Sequence, residues 1–426
     1  MMTPRPYQVD GINFLAERQF ASLWDEPGLG KSFQTLMAIK KLGLKNVLIV
    51  CPASVRLVWA AECKKIGMDG HIVLKKDDIK TGINIISYEG ATRHSDYIRT
   101  VSTNWDLLVL DEEHYVKSHK AQRTKKIFGQ KFDRKDGIAS RVDRIWGLTG
   151  TPMPNNPSEL FPMIRAKFPD AIVKANGRIM TYWDFVYKYC NTFDNGFGLQ
   201  ISGGKNMPKL RDALRGRVKR RKKKDVAKDL PSIQYEILPV EGDLKSVPKD
   251  ELEDVKACLV KDDPLSELKK IGTHIASLRR YTGLAKVKSV KKWIEENDHD
   301  KIVIFAHHKA VIEELRKMDD TVHIDGSCTQ KQREAAVEQF QNGKAKRLVG
   351  QIQAAGTGLT LTAANTLLFV EYSWVPAENR QAADRIHRIG QENNCLVYFA
   401  TVPDSVDEDI MKVVKRKTET YKELGL

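Results

Sequence analysis

Short apolar runs rich in Val, Ile and Leu recur along this chain, each followed by a turn and a segment of helical character. The first group is NVLIVCP (46–52), INIISY (83–88), WDLLVLDE (105–112) and RIWGLTGTP (144–152). The second is KIVIFAHH (301–308), VHIDG (322–326), RLVGQI (347–352), TLLFVEY (366–372) and CLVYFA (395–400). Continuous apolar runs belong to strands covered on both faces, and strands that alternate with helices pair in parallel. More than a hundred residues separate the groups, so the pattern predicts two parallel α/β sheets, with helical insertions between them and a helix at the C-terminus. In open sheets of this kind ligands gather at the carboxyl ends of strands. The chemically distinctive residues of this chain stand there.

The expected organisation is a first lobe over 1–165, helical insertions and a linker over 166–285, a second lobe over 286–402 and a terminal helix over 403–426. The middle stretch differs in texture. It holds the aromatic YWDFVYKY (182–189), a Gly-rich turn (194–204), the basic run RVKRRKKK (217–224) and helix-like charge patterns from 249 to 281. The segment 405–424 carries acids early and cations late, as a helix dipole prefers.

Composition narrows the class further. No apolar run approaches the roughly 20 residues a bilayer needs, and the N-terminus lacks the pattern of a signal peptide. The six cysteines are scattered with no C-x-x-C pair, which predicts reduced thiols in a cytoplasmic protein rather than a disulfide framework or a structural zinc site. Lys and Arg number 70 against 55 Asp and Glu, a net charge of +15 that favours a polyanionic partner. Seven of the eight residues at 217–224 are basic, but the excess persists without them. A basic surface with no partner is equally compatible with charge alone; the motifs decide.

In DEPGLGKS (25–32), Gly28, Leu29 and Gly30 form a loop whose amides can wrap a triphosphate. Lys31 supplies a charge for the β- and γ-phosphates, and Ser32 a hydroxyl for Mg²⁺. The longer G-x-x-x-x-G-K-[ST] form would place glycine at 25, where this chain has Asp25. A bare GLGKS is often only a turn; the strand and acidic box downstream favour function. In VLDEEH (109–114), Asp111 can hold Mg²⁺ and Glu112 can polarise the attacking water, while His114 relays the state of the site. Acidic pairs after strands are common helix starts, but the preceding loop argues against that reading. Gln8, beside Arg5 in RPYQ, offers an amide that can read adenine and so select ATP. Thr149 and Thr151 of LTGTP sit where hydrolysis can be coupled to motion. In QAADRIHRIG (381–390), Gln381, Arg385 and Arg388 follow AAGTGLTLTAAN, which contains Gly358; the arginines are expected on one helical face, as arginine fingers.

Together these residues resemble helicase superfamily 2, and specifically the Swi/Snf-type double-stranded DNA translocases. The resemblance runs from Arg5 to about Leu424. CPASV (51–55), ISYEG (86–90), DEEH, LTGTP and HIDGSCTQKQREAAVEQF (323–340) follow in family order, and QAADRIHRIGQ is similar to the family's closing motif almost letter for letter. RRKKKDVAKDLP (220–231) resembles the basic segment at the end of the first lobe. AAGTGLTLTAANTLLFVEYSWVP is similar to small annealing-helicase and bacterial or phage members. Pro27 stands in place of the usual Met and Ser32 in place of Thr; neither change removes a catalytic group.

The resemblance implies two RecA-like lobes with ATP and Mg²⁺ between them, and double-stranded or forked DNA held through its phosphates. By position, Ser54, Ser87, Ser327, Thr357 and Thr360 are the expected DNA contacts. Strand separation or annealing is an alternative that calls for a wedge or pin, which the sequence does not reveal. A non-motor, ATP-gated DNA-binding protein ranks last because Lys31, Glu112 and both arginines are intact. A bacterial or phage-infected cytoplasm is the expected setting.

Overall fold

The computed structural model describes residues 3–101, 104–194, 198–243, 272–297, 299–355, 359–412 and 414. The chain divides into two compact units, Met1–Lys228 and Asp229–Leu426. In the first, β1 (Phe20–Leu23), β2 (Val47–Cys51), β3 (Gly70–Val73), β4 (Ile83–Ser87), β5 (Trp105–Asp111), β6 (Val142–Leu148) and β9 (Val218–Lys219) form one sheet in the order β3-β4-β2-β5-β6-β1-β9. Every pairing in it is parallel. The register sets Leu23 beside Leu148 and Leu148 beside Asp111, so the chain leaves β1, β6 and β5 at one level of the sheet edge.

Burial explains the strand pattern. All five residues of β2 are buried, and Trp59, Trp105 and Trp146 are at most 1% exposed. On one face the helices α1 (Pro6–Ala16) and α2 (Lys31–Leu42) contribute Leu15, Phe33, Leu36 and Ile39 to the core. Each such side chain contributes about 1.5–3 kcal/mol by leaving water. The helix α2 starts at Gly30 and ends at Gly43, both left-handed, with Lys40 and Lys41 in its last turn where the dipole favours cations.

The second unit holds a six-stranded parallel sheet, β10-β15-β14-β11-β13-β12, built from β10 (Ile233–Pro239), β11 (Ile302–Ala306), β12 (Thr321–Ile324), β13 (Arg347–Gln351), β14 (Thr366–Phe369) and β15 (Cys395–Thr401). Alternate residues of β11 serve two cores. Val303 and Phe305 join Phe369 and Phe399, whereas Ile302 and Ile304 join Val290 and Leu368. Lys286 is fully buried and donates to Asp407 at 2.6 Å and to the Ala400 carbonyl at 2.9 Å.

The stretch 166–285 differs from the expected insertions and linker. It contains an aromatic helix, Tyr182–Tyr189, followed by an antiparallel hairpin of β7 (Cys190–Asp194) and β8 (Leu199–Gly204). Its strand β9 completes the first sheet and β10 the second, so the division falls at 228/229. Both strands lack the apolar signature because they are edges: β9 has two residues in a basic run, and most of β10 is exposed. Charged edges discourage pairing with other chains. Of the helical pattern at 249–281, residues up to 271 lie outside the described residues, and Gly272–Ala285 is helical. The terminal helix is described over 406–412; of its remainder only 414 is described. Among the described residues, no helix is long and apolar enough to cross a membrane.

Candidate active site

The phosphate loop leaves β1 and turns into α2 through Gly28 (φ 88°) and Gly30 (φ 75°), values that side chains rarely adopt. A Cβ at Gly30 would lie 2.6 Å from Gln8 Nε2, so a side chain there would push the Gln8 amide away from the loop. Pro6 starts α1, and Gln8 Oε1 accepts from the Arg5 amide at 3.0 Å. Gln8 Nε2 donates to the Leu29 carbonyl at 3.4 Å, which places the expected adenine-reading amide against the loop. Lys31 Nζ donates to the carbonyls of Asp25 (2.8 Å) and Glu26 (3.4 Å), and Ser32 lies in the first turn of α2.

The acidic box ends β5. Burial, then the neighbouring charge of Glu112, pushes the Asp111 carboxyl up to about 7, against lowering by Trp59 and Lys31. Trp59 Nε1 donates to Asp111 Oδ2 at 2.7 Å. Glu112 has a left-handed backbone (φ 54°), a conformation that costs a residue with a side chain about 1–2 kcal/mol. Its side chain is held by LTGTP. Thr149 Oγ1 lies 3.2 Å from Glu112 Oε2 and 3.0 Å from His114 Nδ1, and accepts the Thr151 amide at 3.0 Å. One proton arrangement satisfies all of these: His114 is protonated on Nδ1 and donates to Thr149, whose hydroxyl donates on to Glu112. Burial holds His114 below the usual histidine range, in keeping with a neutral ring. Thr151 Oγ1 is 3.4 Å from the same nitrogen. Thus Glu112, His114, Thr149 and Thr151 form one network, beside a loop against which Gly150 packs: a Cβ there would meet Pro27 Cδ at 2.7 Å.

Several supporting residues carry no local signal in the sequence. Trp59 orients Asp111 from 52 positions away. Glu113 is buried; it accepts from Trp24 Nε1 and from Lys167 Nζ, each at 2.7 Å, and Lys167 is also fully buried. Arg221 of the basic run reaches Asp25 in the phosphate loop. Only the burial of an acid and a lysine inside apolar surroundings would betray such pairs, and burial is a tertiary property.

The expected DNA contacts in this unit stand at the ends of the neighbouring strands β2 and β4, Ser54 just after β2 and Ser87 as the last residue of β4. Ser54 lies in the short turn Ala53–Val55. Ser87 is buried, and its hydroxyl caps a helix by accepting the Gly90 amide at 3.0 Å.

In the second unit Arg385 and Arg388 do not share a helical face. Their helix ends at Ala383, and the chain continues in tight turns with Arg385 bonding Ala382 and Ile386 bonding Ala383 three residues back. The two guanidinium groups converge all the same. Arg385 donates to the Leu359 carbonyl at 3.3 Å and to the Gln381 carbonyl at 3.1 Å. Arg388 donates to the Leu359 carbonyl at 2.7 Å and to Thr360 Oγ1 at 3.0 Å. Ser327 bonds Asp325 through its amide (2.7 Å) and hydroxyl (2.5 Å). Thr357 and Gly358 lie outside the described residues.

Fold and site together define a phosphate-loop protein of tandem parallel-sheet units, with an acidic box and a Thr-containing segment beside its loop. The model of the SNF2-related domain matches residues 7–245, and that of the helicase conserved C-terminal domain matches 285–390. The chain belongs to the SNF2-related family. It is 29% identical over 451 residues to the Caenorhabditis elegans homolog of SWI/SNF-related matrix-associated actin-dependent regulator of chromatin subfamily A-like protein 1, covering 99% of this chain and 62% of that protein. It is also 29% identical to the human DNA annealing helicase and endonuclease ZRANB3, covering 97% of this chain and 40% of that one. The chain thus spans less than two thirds of the length of these relatives. Being animal proteins, they lend no support to a bacterial or phage setting. Among solved structures, the Sulfolobus solfataricus SWI2/SNF2 ATPase core in complex with dsDNA matches 99% of this chain and 93% of its own at 23% identity, with a TM-score of 0.46.

Proposed function

We propose that this chain is a DNA-dependent ATPase that couples ATP hydrolysis to movement along double-stranded or forked DNA. The observation that carries the reading is the shared level of Leu23, Leu148 and Asp111, which sets phosphate loop, coupling segment and acidic box side by side. The residues present fit Mg²⁺-ATP: two left-handed glycines lead into Lys31 and Ser32, and Asp111, an oxygen donor suited to a hard cation, ends its strand at the level of the strand from which the loop departs. Bound there, the cation would neutralise developing phosphate charge. Gly28, Leu29, Gly30, Lys31 and Ser32 bind and orient the phosphates; Asp111 and Ser32 hold the cation. Arg5 and Gln8 select the base. Glu112, fixed by Thr149 and His114, orients the attacking water. Arg385 and Arg388 are the proposed fingers of the second unit, with Gln381 and Gly358 beside them in the motif order.

DNA contacts are assigned to phosphates, through Ser54, Ser327, Thr357 and Thr360, and with Ser87 contributing its backbone rather than its capping hydroxyl. Such binding tolerates sequence and falls steeply with salt. The relatives' names, an annealing helicase and a chromatin regulator, both agree with a DNA-tracking motor. A second reading, strand separation, is favoured by the β7–β8 hairpin, an element of the form a separating pin would take.

The test is steady-state ATPase activity alone, with single-stranded DNA and with duplex, followed by unwinding of a labelled fork. Strong duplex stimulation that vanishes in Lys31→Ala supports the translocase. Stimulation by forks alone, with release of a free strand, selects the second reading, and wild-type turnover in Lys31→Ala would overturn the site.

A further inference from the structure

The basic run at 217–224 has the composition of a solvated face, yet Arg221 points inward and its side chain is only 10% exposed. Its Nε and Nη2 donate to the two carboxylate oxygens of Asp25 at 3.0 and 2.5 Å. Nη2 also donates to Gln34 Oε1 at 2.7 Å, while Nη1 donates to the Tyr7 carbonyl and to Asp10 Oδ2 at 3.3 Å. Asp25 is fully buried, and Arg221 is the cation that pairs with it there. Gln34 closes the arrangement by donating to Asp25 Oδ2 at 3.3 Å and to the Leu29 carbonyl at 3.0 Å. A Cβ at position 11 would stand 1.9 Å from Gln34 Oε1 and 2.6 Å from Arg221 Nη2, so a side chain there would displace the ends of both.

The backbone adds a second tie. The Trp24 amide donates to the Lys219 carbonyl at 2.7 Å, the Glu26 amide to the Arg221 carbonyl at 3.1 Å, and the Lys223 amide to Glu26 Oε2 at 2.7 Å. The first residues of the phosphate loop are therefore paired along their length with the segment through which the chain leaves the first unit. The same Asp25 whose carboxylate is forked by Arg221 presents its carbonyl to Lys31 Nζ at 2.8 Å. A guanidinium in the basic run thus lies two contacts from the phosphate-binding lysine.

We propose that Arg221 is a positioning residue for nucleotide binding: by fixing Asp25 it sets the loop geometry from which Lys31 meets the phosphates, and it ties that geometry to the exit segment 217–223. The proposal rests on the ATPase reading above. Arg221→Lys keeps the charge but replaces a planar fork by a point donor that cannot serve both Asp25 oxygens and Gln34 together. Asp25→Asn keeps the shape and removes the charge.

The experiment measures KM for ATP, kcat and thermal midpoint for the full chain, both variants and their double. Arg221→Lys and Asp25→Asn should each raise KM by about tenfold, the scale of one charge-assisted hydrogen bond. The double should be no worse than the weaker single, since both changes break one link. A role confined to stability would lower the thermal midpoint and the active fraction while leaving KM at its wild-type value, and that result overturns the proposal. KM effects that multiply in the double overturn it as well, because the residues would then act separately. A wild-type chain without ATPase activity would instead fail at the functional reading, and take this proposal with it.

Discussion

Thr149 is the residue on which the chemistry and the architecture of the first unit depend together. It is fully buried, and its hydroxyl serves Glu112, His114 and the Thr151 amide within 3.2 Å. Thr149→Val preserves the shape and deletes the hydroxyl, leaving two donors and one carboxylate oxygen without this partner. Each such buried group costs about 1–3 kcal/mol. Glu112 and His114 have side chains 17% exposed, so water can recover part of the loss. A net destabilisation of about 2–4 kcal/mol follows.

The catalytic effect is separable. A hydrogen bond to a charged group contributes about 1.5–3 kcal/mol. If half of that orientation is felt in the transition state, kcat falls about four- to tenfold, since 1.36 kcal/mol is one decade. KM for ATP should hardly move, because the phosphate loop is untouched. DNA-saturated ATPase kinetics and urea unfolding followed by tryptophan fluorescence measure the two effects. Thr149→Ser is the control, as it retains the hydroxyl. A valine variant with wild-type kcat would refute the orienting role, and a serine variant as impaired as valine would show that the methyl group, not the hydrogen bonds, is what matters.

Two further outcomes are expected. The folded Asp111 carboxyl, held up at about 7, stays protonated where the unfolded one, near 3.8, has ionised, so the folded state binds the extra proton. Its contribution therefore makes the nucleotide-free protein lose stability as pH rises from about 4 to 7 and then level off; urea midpoints across that range should show this slope in wild type and a weaker one in Asp111→Asn. In the second unit, Asp407→Asn leaves the buried Lys286 ammonium without its carboxylate and should cost about 3–5 kcal/mol, read as a fall in the unfolding midpoint. A midpoint within error of wild type would mean that the Lys286–Asp407 pair does not contribute to the stability of the second unit.

What the sequence discloses and what it hides follow one physical division. The phosphate loop, DEEH and LTGTP are legible because each function needs particular residue types a few positions apart, next to a strand long enough to show an apolar run. The strands β1, β3, β9 and β10 escape because they have two or four residues, or because an edge strand such as β10 leaves Tyr235 and Ile237 about half exposed. The arginines at 385 and 388 were legible as a pair but not as a turn: the spacing suits a helix, and only the C-terminal cap at Asp384 takes them out of one. Nor does any local pattern link Trp59 to Asp111, Lys167 to Glu113 or Arg221 to Asp25, which lie 52, 54 and 196 positions apart.

Those long-range links also decide how much chain the nucleotide site needs. A lobe ending at 165 would contain every residue of the loop, the acidic box and LTGTP, yet it would lack Lys167 and Arg221. Glu113 and Asp25 are both buried, and each would lose its cation. Removing one partner of a buried pair costs about 3–5 kcal/mol, and two such losses together are comparable with the roughly 5–15 kcal/mol that holds a domain folded. The same truncation strips β9 from β1 and exposes the edge beside which the phosphate loop begins. The basic run is therefore structurally part of the unit that carries the Gly28–Ser32 loop: the amides of Trp24 and Glu26 donate to the carbonyls of Lys219 and Arg221, and the Arg221 guanidinium forks Asp25.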